Sequence, residues 1–341
     1  MLRDKNLSVI CKFEKFFHLS YHIAMNKAEV KKLNIYCNFA LLTTAFLLGM
    51  SFVAQKAGME YLGPFTFNTL RFFVGSITLW CVMVIGEKFE LFPPEKNDFT
   101  ALVKGGWATG LALFCAFSIN QYCMQFAQAG KAGFITSLYV IFVPLIWLFK
   151  GRTLTNNVKI GLLLAVVGLY LLCAKGDFSF DLWDIGILIS AFFFGLHIIA
   201  VGAFTKKTNA IKLSLVQFLV AGILSAPFML LFETVNYSAV KACLMPILFI
   251  GVVVSGGAYT LQIFGQKAAK PVQTTLIMSL ESVFAVLGGF VFLNETLTLR
   301  EGFGCLFMII AIIISQLHIK HFQRPQVLTP ESDDNVLQEL P

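Results

Sequence analysis

The chain has 341 residues, of which 57% are apolar and 13% are charged, and its formal net charge is +7. Soluble proteins are about 45–50% apolar and about 25% charged, so this composition excludes a water-soluble protein with a single core and indicates an integral membrane protein. The positive charge does not imply a nucleic-acid partner, because Lys and Arg residues accumulate on the cytoplasmic side of membrane proteins.

Residues 1–35 alternate charged residues with short apolar stretches, and Met25 lies among them as an alternative start. This segment lacks the apolar run and the small-residue cleavage site of a secretory signal peptide. We therefore expect a cytoplasmic N-terminal segment over residues 1–35.

Ten mainly apolar stretches follow, each long enough to cross about 30 Å of hydrocarbon. They cover residues 36–55, 66–86, 101–127, 132–149, 158–174, 183–204, 212–232, 244–266, 271–293 and 300–319, and short connections join them. The predicted fold is an all-α integral membrane protein of ten transmembrane helices.

The Lys and Arg residues are distributed unequally between the two sides of these spans. Of the 26 such residues, twenty lie on the side of the N-terminus, five lie on the opposite side and Arg71 lies within a span. Because positive residues stay in the cytoplasm, both termini are predicted to be cytoplasmic. Residues 320–341 then form a cytoplasmic tail, expected to be disordered. The simple topology suits a multi-pass protein of the cell inner membrane.

The two halves of the chain resemble each other. Residues 137–145 (SLYVIFVPL) match 279–287 (SLESVFAVL), and residues 152–155 (RTLT) match 295–298 (ETLT) after a slip of one residue. The repeats, 36–175 and 183–319, each hold five spans, and an odd number inverts one copy relative to the other. Inverted repeats are typical of secondary transporters, whose substrate site lies between the halves.

Five blocks of residues resemble the drug/metabolite transporter superfamily in its EamA-type ten-span form. In chain order they are 49–54 (GMSFVA), 63–72 (GPFTFNTLRF), 131–140 (KAGFITSLYV), 280–285 (LESVFA) and 294–298 (NETLT). The resemblance implies a central cavity between two five-helix halves, through which small metabolites, often amino acids or related compounds, are exported or taken up. The resemblance does not identify which solute is transported.

Polar residues inside the spans are candidates for a substrate and ion path, because in lipid each must face the bundle interior or a watery cavity. Ser51 and Gln55 share one face of the first span. Arg71 in the second span is close enough to the membrane surface to snorkel, but it could instead bind an anionic carboxylate of the solute. Tyr139 occupies the position in the fourth span that is equivalent to Glu281.

The third and eighth spans carry related polar stripes at helical spacing, which suit the wall of a cavity or hydrogen bonds between helices. The stripes consist of Ser118, Gln121, Gln125 and Gln128, and of Ser255, Tyr259, Gln262 and Gln266. In the sixth span, His197 is a candidate proton relay or an ordinary hydrogen-bonded core histidine.

Glu281 lies near the midpoint of the ninth span, where an acidic group costs roughly 2.5–3.5 kcal/mol. Such a group should be protonated or have a partner. The functional interpretation is that Glu281 exchanges a proton during transport or contacts a cationic part of the substrate. The structural alternative is a hydrogen bond to a neighbouring helix.

These patterns predict a secondary active transporter, an exporter of small organic metabolites such as amino acids or related compounds, working by alternating access and coupled to a proton through Glu281. The alternative is an intramembrane enzyme or a structural subunit of a membrane complex. Within transport, a nucleotide-sugar or a drug-like cation is the alternative cargo.

The sequence shows no motif that would indicate catalysis. It contains no P-loop, no metal-ligand spacing and no nucleophile arrangement, and none of its eight cysteines forms a CxxC pair. We therefore expect no enzyme activity, no catalytic residue and no cofactor or metal. Spans five and ten are almost free of polar groups, so they are expected to be peripheral and to offer a homodimer contact.

Overall fold

The structure is a computed structural model, and it describes residues 27–89, 98–126, 129–173, 181–292 and 298–317. The predicted start at Met25, the tail over 320–341 and Gln128 lie outside these ranges. The described regular structure is helical: α1 (Lys27–Met59), α2 (Pro64–Lys88), α3 (Phe99–Met124), α4 (Ala129–Ser137), α5 (Tyr139–Phe149), α6 (Asn156–Cys173), α7 (Leu182–Phe204), α8 (Ala210–Phe232), α9 (Tyr237–Ala242), α10 (Leu244–Leu248), a π-helical segment (Phe249–Ala258), α11 (Tyr259–Gly265), α12 (Pro271–Met278), α13 (Glu281–Phe292) and α14 (Leu299–Leu317).

Seven helical stretches of the described chain are long and apolar enough to cross a membrane: Lys32–Met59, Pro64–Lys88, Phe99–Met124, Leu182–Phe204, Ala210–Phe232, Leu244–Gly265 and Pro271–Gly288. Two shorter apolar helices, Ile135–Phe149 and Asn156–Leu172, lie where spans four and five are predicted. The chain is therefore a multi-pass, all-helical membrane protein. The count of ten spans stays a prediction.

Polar residues between the apolar stretches define where several helices begin. The side chain of Asp98 accepts a hydrogen bond from the backbone N–H of Ala101 at the start of α3, and Asn209 accepts from Ile211 and Lys212 at the start of α8. Pro64 occupies the first turn of α2, where its missing N–H costs nothing. These caps satisfy N–H groups that have no partner within the helix.

Spans four and nine are each interrupted near their middle, whereas the sequence predicts them to be continuous. The breaks fall between α4 and α5 and between α12 and α13. At these points Leu138 N bonds to Ile135 O at 3.1 Å and Leu280 N bonds to Ile277 O at 3.2 Å, so the helix tightens locally to i−3 bonding. The hydroxyl of Ser279 donates to Leu276 O at 2.8 Å, a competing bond that loosens the regular helix there.

Helices α6 and α14, predicted to be peripheral, pack tightly against each other. A Cβ added to Gly168 would lie 3.0 Å from Gly304 O, and one added to Gly304 would lie 2.7 Å from Leu172 N. Only glycine permits this approach of two backbones, which is a common contact between membrane helices. The chain therefore uses this glycine face internally, and the predicted homodimer contact stays untested.

One end of the bundle, where α1 begins and α11 ends, is filled by apolar side chains that we call the terminal-end cluster. It consists of Cys37, Ala40, Leu102, Val201, Ala210, Leu213, Ile263 and Phe264. At the opposite end, the side chain of Glu233 binds the start of α2. The two ends of the helix bundle are thus held by different interactions.

Candidate functional site

A cavity of about 50 Å³ lies between the two halves, with room for roughly four water molecules. Its lining residues are Leu48, Ser51, Phe52, Gln55, Arg71, Phe117, Asn120, Thr136, Tyr139, Phe194, His197, Ile198, Tyr259, Gln262, Met278 and Glu281. Both repeats contribute to this lining. The cavity is therefore placed where an inverted-repeat transporter holds its substrate.

Eight residues that the sequence singled out line this cavity together: Ser51, Gln55, Arg71, Tyr139, His197, Tyr259, Gln262 and Glu281. Five other described candidates do not. Four of them are buried without lining it, namely Ser118, Gln121, Ser255 and Gln266. Gln125 is exposed, and its amide donates to Tyr122 O at 3.2 Å.

The cavity is built from equivalent positions of the two halves. Tyr139 and Glu281 are hydrogen-bonded to each other and lie 142 residues apart in the chain. The same separation relates five further lining pairs: Phe52 with Phe194, Gln55 with His197, Phe117 with Tyr259, Asn120 with Gln262, and Thr136 with Met278. Equivalent positions of the two repeats therefore lie on the walls of the same cavity.

Sequence reasoning missed Asn120, which lines the cavity and lies one residue before Gln121 of the predicted stripe on α3. Its amide donates to Thr136 Oγ1 at 2.8 Å and to Ser190 Oγ at 3.0 Å. The separation of 142 residues from Gln262 is the signal that would have identified it. The aromatic walls at Phe52, Phe117 and Phe194 carried no separate signal, because phenylalanine is abundant throughout the chain.

Glu281 is 6% exposed and is held at the break of span nine, where it is the first residue of α13. The hydroxyl of Tyr139, the first residue of α5, donates to Glu281 Oε1 at 2.9 Å. A second link joins the same two spans, because the hydroxyl oxygens of Ser137 and Ser282 are 2.6 Å apart. The start of α5 and the start of α13 are thereby connected to each other.

Arg71 points into the bundle and does not snorkel. Its side chain is 1% exposed, and its guanidinium carbon lies 3.9 Å from the centroid of the Phe117 ring. Within the described parts of the chain, its Nε and Nη1 atoms have no hydrogen-bond acceptor. Stacking on an aromatic ring compensates only part of the cost of burying a cation.

His197 and two further polar side chains complete the polar surface of the cavity. His197 Nε2 lies 3.1 Å from Gln217 Oε1, and since an amide oxygen only accepts, this contact places the hydrogen on Nε2. Gln55 Nε2 donates to Ser51 Oγ at 3.0 Å. Together with Arg71 and Glu281, these groups offer hydrogen bonds and charge to a small organic molecule.

The amide of Gln262, which lines the cavity, has no partner among the described residues. The amide of Gln266, buried one turn further along and outside the lining, has none among them either. Buried amides are normally hydrogen-bonded, so unpaired ones indicate groups available to a ligand. A metal is a different matter. No three His, Cys, Asp or Glu side chains of the described ranges cluster closely enough to hold one.

Comparisons with known proteins agree with this architecture. The EamA-like transporter family matches residues 35–174 and 181–317. A protein of Archaeoglobus fulgidus named an uncharacterized transporter is 31% identical over 286 residues, covering 84% of this chain and 87% of that protein. The uncharacterized transporter YoaV of Bacillus subtilis is 22% identical over 285 residues, covering 81% of this chain and 94% of its own.

A solved crystal structure shares the fold, with a TM-score of 0.68 at 18% sequence identity, and the match covers 82% of this chain and 98% of that one. The family match extends over both halves of the chain, and the relatives that it resembles are named as transporters. The predicted family is therefore confirmed, and the chain is a membrane transporter that belongs to the EamA-like transporter family.

Proposed function

We propose that this membrane transporter is a secondary active exporter of small organic metabolites, such as amino acids or related compounds, and that Glu281 couples transport to a proton. The main support for this proposal is the cavity between the two halves, where the hydrogen bond between Tyr139 and Glu281 joins equivalent positions of the two repeats. Because the halves are inverted, rocking one against the other exposes the same cavity to each side in turn.

The position of Glu281 supports the coupling. A buried carboxyl group that alternates between two environments can bind a proton on one side of the membrane and release it on the other. Glu281 is buried, lines the cavity and is the first residue of the half-helix α13. Because the helix is interrupted at this point, a small movement of α13 changes the surroundings of Glu281.

The size of the cavity supports a small solute. About 50 Å³ is too little for a nucleotide-sugar in this conformation. The terminal-end cluster fills the bundle on one side of the cavity, so we infer that this conformation is closed at that end. We also propose that this end is cytoplasmic and that the protein resides in the cell inner membrane, in accordance with the distribution of Lys and Arg residues.

The family match favours transport over an intramembrane enzyme or a structural subunit. The cavity also favours transport, since it combines isolated polar groups from both halves. An enzyme would be expected to show several titratable groups converging with nucleophile and base geometry.

The test uses the purified full-length chain in proteoliposomes loaded with a mixture of ¹⁴C-labelled amino acids. We expect efflux that accelerates with an imposed proton gradient and exchange against the same mixture outside. Glu281→Gln should abolish the response to the gradient and retain exchange, because the amide keeps the shape of the side chain but carries no exchangeable charge. Glu87→Gln is the matched control, since Glu87 is exposed outside the cavity.

Gradient-driven efflux that is unchanged by Glu281→Gln would refute proton coupling through this residue. Absence of both efflux and exchange for the whole mixture would refute the proposed class of amino acids.

A further inference from the structure

Arg71 is the one cationic side chain that lines the cavity among the described residues. It is 1% exposed, and two of its nitrogen atoms find no acceptor in the described part of the chain. A guanidinium offers five donors in a flat fork that matches a carboxylate. A buried arginine without an acceptor for these nitrogen atoms is suited to bind an anion that is not part of the chain.

Glu281 lines the same cavity without serving as the counterion of Arg71. No ion pair joins these two residues in the described structure, where Glu281 Oε1 accepts its hydrogen bond from Tyr139. The cavity therefore keeps one positive and one negative group apart. Each remains available to a different partner.

We propose that Arg71 binds the carboxylate of a small monocarboxylate solute and that Glu281 takes up one proton together with it. This inference rests on the transport function proposed above, narrows its solute from amino acids to related compounds that carry a carboxylate without an ammonium group, and names the stoichiometry. The solute and the proton then cross the membrane in the same direction with no net charge moved, so efflux is accelerated when the inner compartment is the more acidic one, and export follows the concentration gradient of the solute.

The charges of the cavity explain why binding of the carboxylate is coupled to uptake of a proton. With Arg71 positive and Glu281 negative, the empty cavity is neutral. A bound carboxylate adds one negative charge in a region of low dielectric constant, where like charges repel strongly. A proton on Glu281 restores neutrality, so occupation by the anion and protonation of Glu281 favour each other.

We assign the proton to Glu281 and not to the other titratable groups that face the cavity. They are Tyr139 on α5, His197 on α7 and Tyr259 on α11, whereas the described side chains that α1, α3, α4 and α12 contribute to the lining are not titratable. The Tyr139 hydroxyl already donates to Glu281. The hydrogen bond between His197 Nε2 and Gln217 Oε1 is one that a neutral imidazole can make, so it requires no proton uptake by His197. Among the described residues that line the cavity, Glu281 is the one that carries a carboxyl group.

The remaining walls favour a small apolar body and a single negative charge. Leu48, Phe52 and Phe194 surround the polar groups, and the cavity holds the volume of roughly four waters. A dianion would require a second cation, which the described lining does not contain. A zwitterion would instead place its ammonium group on Glu281 and need no proton.

The binding test compares four compounds with the same three-carbon chain: propionate, propylamine, 1-propanol and alanine. Thermal unfolding of the purified protein is measured with each at constant ionic strength. We expect propionate to raise the Tm most. Arg71→Gln should weaken propionate binding by about 10- to 100-fold, as expected for the loss of hydrogen bonds to a charged group.

Arg152→Gln is the matched control, because Arg152 is exposed outside the cavity and lies 5.7 Å from the Trp147 ring centroid. Arg71→Lys keeps the charge and should retain part of the binding. Because the removed cation lacks an acceptor among the described residues, the ligand-free Arg71→Gln protein should unfold at the same Tm or higher, so loss of binding can be separated from loss of folding.

Proton uptake is measured by isothermal titration of propionate in buffers of different ionisation enthalpy over a pH series. The wild-type protein should take up close to one proton per bound propionate at the maximum of the series, and Glu281→Gln should take up none. Equal binding of propionate to wild type and Arg71→Gln would overturn the proposal. Stronger stabilisation by alanine or propylamine than by propionate would do the same, as would propionate binding without proton uptake.

These outcomes separate the present inference from the proposed function. Propionate binding that depends on Arg71, in a protein that shows neither efflux nor exchange, would retain the site and reject transport. Exchange of labelled amino acids with no dependence of propionate binding on Arg71 would retain transport and reject this inference.

Discussion

At the scale of single residues, Glu233 shows how one carboxylate stabilises two distant parts of the chain. Its Oε1 accepts from the backbone N–H of Phe65 at 2.8 Å, and its Oε2 accepts from Thr66 at 2.7 Å. The residue follows α8 but caps α2, whose N-terminal N–H groups carry partial positive charge. The sequence offers no local sign of this cap, because the two partners lie 168 residues apart.

We predict that Glu233→Ala lowers the free energy of unfolding by about 0.5–2 kcal/mol, the range measured for the loss of a helix N-cap. Thermal unfolding of the purified protein measures the change. Glu60→Ala is the matched control, since Glu60 is exposed in the neighbouring loop and has no hydrogen-bond or ion-pair partner among the described residues. Equal Tm values for the two variants would contradict the proposed role of the cap.

At the scale of helices, the breaks in spans four and nine place the functional side chains. Tyr139 and Glu281 are the first residues of α5 and α13, so each lies where backbone hydrogen bonding changes from one half-helix to the next. On α1, a Cβ at Gly49 would lie 2.6 Å from Glu281 O, so this glycine lets α1 approach the second break. Discontinuous helices near the middle of the bundle are typical of transporter binding sites.

Close contact between α6 and α14 depends on glycine in the same way. We predict that Gly304→Leu destabilises the protein by about 1–3 kcal/mol, because the new side chain would overlap the backbone of Leu172 and force the two helices apart. Thermal unfolding in detergent measures this effect. Gly302→Leu on the same helix is the control, because nothing lies within 4 Å of its added Cβ and its Tm should be unchanged. Similar losses in both variants would contradict the packing argument.

At the scale of the whole molecule, the cavity and the terminal-end cluster together describe one conformation of a transporter. The cavity lies between the halves, and apolar side chains from α1, α3, α7, α8 and α11 fill one side of it. Cys37 lies in that cluster, where its Sγ is 3.7 Å from Phe264 O. In the alternating-access mechanism that we propose, rocking of the halves separates these contacts and opens that end.

We predict that Phe264→Ala favours opening of this end and increases labelling of Cys37 by a water-soluble maleimide about tenfold, which corresponds to roughly 1.4 kcal/mol in the opening equilibrium. The measurement uses a variant in which Cys37 is the sole cysteine. Phe303→Ala, at a phenylalanine of α14 that is 57% exposed, is the control and should leave labelling unchanged. A labelling rate unaffected by Phe264→Ala would indicate that the cluster does not close the bundle.

Much of this architecture could be predicted from the sequence. Apolar stretches indicated a multi-pass helical membrane protein, and the five residue blocks indicated the family, which the comparisons confirm. Of the thirteen candidate path residues that the structure describes, eight line the cavity. The other five do not, because helical spacing shows which residues share a face but not which way that face turns; they are Ser118, Gln121, Gln125, Ser255 and Gln266.

The sequence by itself determined that this protein lies in a lipid bilayer, that its two halves repeat and that few charged residues are buried, because each of these follows from composition and spacing. Only the tertiary structure decided how each helix is rotated about its own axis. In lipid both the outside and the interior of the bundle are apolar, so hydrophobicity does not fix that rotation, and a shift of one residue turns a side chain by about 100°. This rotation is what places Asn120 rather than Gln121 beside the cavity and turns Arg71 inward.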